Sequence, residues 1–173
     1  TILHRVTLRS GGHPALIKTI LDLYPKSMRL QAVMERDNNE ETILHIAAKR
    51  DSVELLKMLI LDLVPESQRE QAVCMTNIFG ENLFHCAARS GKLENINFIL
   101  TLLSDSQHSR VLEVVCGNGS TALHCAANSG SLECISAILA LYPERQRPDV
   151  ICTPNARGST VVHCAATSGN TES

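Results

Sequence analysis

Aromatic side chains are scarce in this chain, which has three phenylalanines, two tyrosines and no tryptophan among 173 residues. Nucleic-acid surfaces need interleaved aromatics or a basic field, and 16 basic against 18 acidic residues supply no such field. Nucleic acid is therefore not an expected partner. No apolar run approaches the ~18 residues of a membrane helix and no charged-then-apolar leader is present, so no membrane partner is expected. The sequence also lacks a phosphate loop, a dinucleotide-binding glycine pattern and a paired CxxC, so no cofactor is expected. Seven cysteines, an odd number, sit mostly inside apolar patterns. That usage suits reduced thiols in a cytoplasmic protein better than a disulfide framework.

What is abundant is aliphatic. Hydrophobic residues make up 44% of the chain, carried by Leu, Ile, Val and Ala, and the length suffices for a sizeable core. They come in a repeat: TILHRVT begins at Thr1, TILHIAA at Thr42, NLFHCAA at Asn82, TALHCAA at Thr121 and TVVHCAA at Thr160. The starts are 41, 40, 39 and 39 residues apart, a period that marks an array of supersecondary units. The copies place His4, His45, His85, His124 and His163 in one register, while His13 and His108 fall outside it.

In the fourth copy, Thr121 is placed to cap a short helix over 122–128, which Ser129-Gly130 stops. A second helix follows in SLECISAILALY, where Leu132, Ile135, Ile138, Leu139 and Tyr142 recur on one face and Cys134 reads as core. Pro143 ends it, and Asn155 and Gly158 form a turn before the next cap. The same order follows Gly91 in LENINFILTLL and Asp51 in VELLKMLILDLV. Such a helical hairpin cannot bury its apolar face alone, so the units must stack. The inserts PKSMRLQAVMERDN, PESQREQAVCMTN and SDSQHSRVLEVVC lengthen each unit. Proline at a first helical position followed by good helix formers predicts a short third helix in each. In the fourth unit Pro148 is expected to cut that helix to a single turn.

The ankyrin-repeat pattern D-x-x-G-x-T-P-L-H-x-A-A-x-x-G-x-x-E is matched, identically or conservatively, by Asn77, Gly80, His85, Ala87, Ala88, Gly91 and Glu94. It is matched again by Asn155, Gly158, Thr160, His163, Ala165, Ala166, Gly169 and Glu172. The chain resembles that family over essentially its whole length. The resemblance implies an all-α solenoid, a curved stack of helical hairpins with β-hairpin or turn fingers on one side. It would form a single array over residues 1–173 whose last repeat is truncated. It also implies histidines that tie helix starts to neighbouring backbone, and a concave face that binds other proteins.

The chain departs from the pattern in three ways. The proline after the cap is replaced by Ile2, Ile43, Leu83, Ala122 and Val161, so helix starts lean on the cap and on packing. The first unit has Arg5, Val6 and Thr7 at the small-residue positions and an enlargement at Gly11-Gly12. The period exceeds the family's usual ~33 residues by roughly six to eight. Repeats lengthened in this way resemble those of secreted effectors of intracellular bacteria, which would place the protein in a host cytosol.

His124 beside Cys125 raises the question of a catalytic or metal-binding pair. Neighbours on a helix point about 100° apart, so these two cannot face each other as base and nucleophile. Equivalent positions in stacked units lie about 8–10 Å apart. That is too far for a disulfide, whose Cα atoms lie within ~7 Å, or for zinc ligands converging at ~2.0–2.3 Å. The column Cys86, Cys125 and Cys164 therefore predicts packing, and no catalytic residue, metal ligand or enzyme activity is expected. Cys74 and Cys152, each eight residues before a motif start, form another such column.

Function then rests on side chains that packing does not use. The first helices end in Leu8-Arg9, Lys49-Arg50, Arg89-Ser90, Asn128-Ser129 and Thr167-Ser168, basic in the first three units and neutral in the last two. Arg50 and Arg89 are expected at equivalent outward positions, with Glu40, Glu41 and Glu81 close enough to neutralise the basic column. The turn tips add Ile78, Phe79, Asn118 and Arg157. Two large apolar side chains at one tip have little structural use unless they fold back onto the neighbouring insert. The candidate partner-binding residues are thus Arg9, Lys49, Arg50, Ile78, Phe79, Arg89, Asn118, Asn128 and Arg157. The expected function is a monomeric protein–protein interaction module holding an extended or helical, acidic segment of another protein. The alternative is a targeting or regulatory domain of a larger enzyme, since the chain starts without Met at a motif threonine and ends inside a helical hairpin.

Overall fold

The computed structural model describes residues 1–9, 11, 13–50 and 53–168; Gly12, Asp51, Gly169 and Glu172, named above, lie outside the described residues. The first unit holds α1 (Ile2–Arg9), α2 (Pro14–Asp22) and α3 (Lys26–Met34), and the second α4 (Ile43–Ala48), α5 (Val53–Leu63) and α6 (Glu66–Cys74). The third has α7 (Leu83–Ser90), α8 (Leu93–Thr101) and α9 (Asp105–Glu113). The fourth has α10 (Ala122–Ser129), α11 (Leu132–Ala140), a 3₁₀ turn (Glu144–Gln146) and α12 (Arg147–Cys152), and α13 (Val161–Thr167) opens the fifth. First helices α1, α4, α7, α10 and α13 pack in series, and α2, α5, α8 and α11 form a second row.

Packing, more than helix propensity, holds these short elements. α4 has six residues, all buried, and a helix that short does not persist in water unaided. Ala47 and Ala48, Ala87 and Ala88, and Ala126 and Ala127 are buried where first helices approach one another. Large aliphatics fill the space between the rows: Leu44, Leu55, Leu59, Ile60, Leu83, Ile96 and Leu123 are fully buried. Each contributes about 1.5–3 kcal/mol. Asn95 on α8 is buried because its Nδ2 donates to the carbonyls of Ala48 and Arg50 at 3.0 and 2.9 Å, closing the end of α4. The third helices bury the same two positions in each copy, Ala32-Val33, Ala72-Val73 and Val111-Leu112.

Three expectations change in detail. Pro25 and Pro65 are the N-caps of α3 and α6, one residue before the first helical position. Pro148 does not reduce its insert to a single turn, because it sits in the first turn of α12, where a helix has no intrahelical use for the missing N–H. Leu132 is 72% exposed rather than part of the apolar face of α11, while Cys134 is fully buried there as expected.

A five-residue finger precedes each first helix from the second unit on: 37–41, 77–81, 116–120 and 155–159. The expected β-hairpins are turns, with no strand among the described residues. The first N–H of each finger donates to its fifth carbonyl: Asp37 to Glu41 at 2.9 Å, Asn77 to Glu81 at 3.0 Å, Cys116 to Ser120 at 2.8 Å and Asn155 to Ser159 at 2.9 Å. Adjacent fingers are stitched by Ile78 N–H to Asn39 carbonyl (3.0 Å), Gly117 to Phe79 (2.7 Å) and Ala156 to Asn118 (2.9 Å). The fourth finger position is left-handed throughout, at Glu40, Gly80, Gly119 and Gly158. A Cβ on Gly80 would lie 2.9 Å from Gly117 N, and one on Gly119 2.9 Å from Ala156 N. Glycine there serves both the backbone angle and the stitch.

Candidate functional site

Each finger runs straight into a first helix, and the junction is fixed by the repeated cap residue and histidine. In the second unit Thr42 N–H donates to His45 Nδ1 at 3.2 Å, so Nδ1 is an acceptor and Nε2–H donates to the Met75 carbonyl at 2.9 Å. His124 repeats this between Thr121 N–H (3.3 Å) and the Thr153 carbonyl (3.1 Å). His4 reaches the Glu41 carbonyl at 2.7 Å, and His163 keeps the contact to Thr160. Burial, opposed by these carbonyls, holds His45 and His124 below the ordinary imidazole range. Both are structural clamps, neutral near pH 7.

The third unit differs. Asn82 Oδ1 accepts from the His85 backbone N–H at 3.0 Å, which fixes it as the oxygen, so His85 Nδ1 at 2.7 Å must donate to it. The tautomer is reversed relative to its counterparts. Nε2 carries a lone pair and has no hydrogen-bond partner among the described residues, His85 is 0% exposed, and Cys116 is among its neighbours.

Beside the clamps runs an ionic ladder. Lys49 pairs with Glu41, and Arg89 with Glu81 through Nε at 2.8 Å and through Nη2. Lys49 is also 3.8 Å from Glu81, and Asn77 Nδ2 bridges Glu41 and Glu81 at 3.0 and 3.2 Å. Glu81 is only 5% exposed. Burial pushes its carboxyl up, but Arg89, Asn77 and Lys49 together outweigh burial and hold it below the ordinary range. The position equivalent to Arg89 is Lys49, not Arg50, since each lies eight residues after its glutamate. Arg50 instead donates to the Leu8 carbonyl at 2.6 Å. The acidic residues thus neutralise much of the basic column, and Arg36 pairs likewise with Glu40 at 2.8 Å.

Ile78, Phe79, Arg89, Asn118 and Arg157, five of the candidate residues, line a single open concavity of about 330 Å³ together with Glu81, Cys116 and Gly117. Ile78 and Phe79 are 52% and 54% exposed, so the tip does not fold back into the insert. The Arg157 guanidinium has no partner among the described residues, while its backbone N–H caps the turn through Asn155 Oδ1 at 2.9 Å. The other candidates lie elsewhere. Arg9 borders a separate groove with Ile2, Arg5, Val6 and Leu16, Lys49 and Arg50 are committed as above, and Asn128 meets Cys164.

Among the described residues, two clusters carry metal-ligand side chains within 4.8 Å of one another: Glu41, Glu81 and Cys86, and Glu81, Cys116 and Cys125. A protein cation is seated at each, Lys49 on Glu41 and Arg89 on Glu81, with Arg89 Nη2 also 3.5 Å from Cys125 Sγ. No helix of the described residues is long and apolar enough to cross a membrane.

A family model described as ankyrin repeats in three copies matches residues 3–110 and 84–173. The chain belongs to the ankyrin-repeat family. No curated protein matches it. In this ankyrin array three successive fingers and Arg89 of α7 line the concavity at residues 78–79. Sequence spacing missed Cys116 as part of that site. The signal was available in the finger starts Asp37, Asn77, Cys116 and Asn155, three Asx residues and one thiol.

Proposed function

We propose that the protein is an interaction module that holds a segment of another protein in the concavity between the fingers at 77–81 and 116–120. Ankyrin repeats generally bind proteins, and the observation that carries the placement is the exposed Ile78-Phe79 pair beside the unpartnered Arg157. The segment of best fit offers one bulky apolar side chain to Phe79 and an acidic group to Arg157. Lys49 and Arg89 already satisfy Glu41 and Glu81, so only a local acidic group is needed, not an acidic segment throughout. We read residues 1–173 as one continuous, monomeric array, acting by binding and not by catalysis. Placement as a bacterial effector in a host cytosol rests on repeat length alone.

The test uses peptides selected from a random displayed library on the wild-type protein, with affinities measured by calorimetry. Phe79→Ser and Arg157→Glu should each weaken binding roughly 10- to 100-fold, the cost of losing an interface anchor or reversing a charge. Leu132→Ser, on the exposed side of α11, should leave it unchanged. Equal affinity for all these variants would move the site to another face. Arg89→Glu belongs to a different experiment, since facing Glu81 with a like charge would destabilise the fold.

A further inference from the structure

The finger turn uses an Asx residue at its first position. Asp37 Oδ1 accepts from the N–H groups of Asn39 and Glu41 at 2.8 and 3.0 Å, and Asn77 Oδ1 from those of Phe79 and Glu81 at 2.9 and 3.0 Å. Asn155 Oδ1 accepts from Arg157 and Ser159 at 2.9 and 3.1 Å. Cys116 holds this place in the remaining finger. Its thiol replaces the acceptor, and Ser120 N–H turns to Asn118 Oδ1 at 3.1 Å instead. The local rule is broken beside the residue whose clamp is also broken, since His85 neighbours Cys116.

Cys125, from the helix that follows the finger, completes the arrangement, with its Sγ within 4.8 Å of the Cys116 sulfur. Cys125 is fully buried, whereas Cys116, 5% exposed, lines the concavity. We propose that Cys116 and Cys125 are a peroxide-reactive thiol pair, with Cys116 the attacking sulfur reached through the concavity and Cys125 the resolving one. The titration directions agree. The neighbouring Cys125 thiol is the largest influence lowering Cys116, Cys116 is in turn the largest influence raising Cys125, and His85 further favours the Cys116 thiolate.

The chemistry balances with hydrogen peroxide as oxidant. Cys116 passes its proton to His85 Nε2, and the thiolate attacks one peroxide oxygen. The O–O bond breaks, and the departing hydroxide recovers the proton from His85 as water. Cys116 is now a sulfenic acid, oxidised by two electrons, and the peroxide is reduced. Cys125 sulfur then attacks the sulfenic sulfur, its proton leaves with the hydroxyl as a second water, and a disulfide remains. The same donors do not invite a metal, because the Arg89 guanidinium is bonded to Glu81 and in contact with Cys125. This chemistry stands whether or not a partner segment occupies the concavity.

The reduced wild-type protein is treated with hydrogen peroxide, its remaining thiols are alkylated, and peptides are mapped by mass spectrometry. A Cys116–Cys125 disulfide should form while Cys152, the exposed cysteine, is still alkylated as a thiol. Cys125→Ser should stop at a sulfenic acid on Cys116 that dimedone traps. His85→Gln should slow the oxidation at pH 7 and move its pH profile upward, which a purely structural histidine would not do. Iodoacetamide at pH 6 should label Cys116 faster than the exposed Cys152. Oxidation of Cys152 or Cys74 ahead of the pair would overturn the proposal. So would zinc bound stoichiometrically through both thiols in the reduced protein. The wild-type map needs no variant, so a misfolded substitution leaves the proposal testable.

Discussion

Adding one methyl group at Gly80 and the same group at Gly158 asks how much the finger-to-finger stitch is worth. Both glycines are left-handed, at φ +73 and +75, so alanine costs each about 1 kcal/mol from the backbone angle, less the entropy that alanine removes from the unfolded chain. Their surroundings differ. At Gly158 the new Cβ meets nothing within 4 Å, whereas at Gly80 it lies 2.9 Å from Gly117 N. That nitrogen donates to the Phe79 carbonyl at 2.7 Å, and the displacement weakens a bond worth about 1 kcal/mol in addition to the steric cost. Gly80→Ala should therefore destabilise by about 2–3 kcal/mol and Gly158→Ala by about 1 kcal/mol or less. Glu40→Gly, which removes the one non-glycine from this column, should stabilise by less than about 1 kcal/mol, because relief of the backbone angle is offset by the freedom glycine restores to the unfolded chain and by loss of the Arg36 pair. Urea unfolding at constant m-value gives the energies, and hydrogen exchange at the Gly117 amide reads the stitch itself. Equal losses at Gly80 and Gly158, with Gly117 exchange unchanged, would refute the view that fingers support one another through their backbones.

Three further outcomes test the clamps and the ladder. His124→Leu strands Thr121 N–H and the Thr153 carbonyl, so unfolding should show a loss of about 1–3 kcal/mol, and a neutral result would mean the clamp is ornamental. Stability should decline as pH falls below 6.5, because folded His45 and His124 are held below that ordinary value and the unfolded chain binds protons first. A second decline should begin below pH 4.5, where the depressed Glu81 starts to protonate in the unfolded state before the folded one. A flat profile between pH 7 and 4 would contradict both assignments.

The parts of this fold that sequence conveys are those whose partners are close along the chain. Thr121 and His124 are three residues apart, so the clamp shows as a motif, and the Asn155 to Gly158 turn shows for the same reason. The third helices α3 and α6 follow from proline and good helix formers, although Pro25 and Pro65 stand one residue outside the helix, a boundary that composition does not resolve. By contrast, α9 has no proline and starts from a capping box of Ser104 and Gln107. Lys49 and Glu41 meet across the junction of a finger and a helix, eight residues apart, a spacing that belongs to no regular element. The basic column therefore appears in the sequence as free charge. Cys125 recurs in sequence with Cys86 and Cys164, its equivalents in neighbouring repeats. Its neighbour is Cys116, brought in by the preceding finger. The exposed pair Ile78-Phe79 was legible because a turn tip gives large apolar groups nothing to pack against.

The most direct measurement of where the partner segment lies replaces Phe79 with a photoreactive phenylalanine analogue and, in a second protein, does the same at Leu61, an exposed position on α5 in the second-helix row. Each protein is irradiated with a peptide selected on the wild type, and the cross-linked products are mapped. Cross-linking is expected from position 79 and none from position 61. Cross-linking from position 61 with none from position 79 would contradict this placement of the segment.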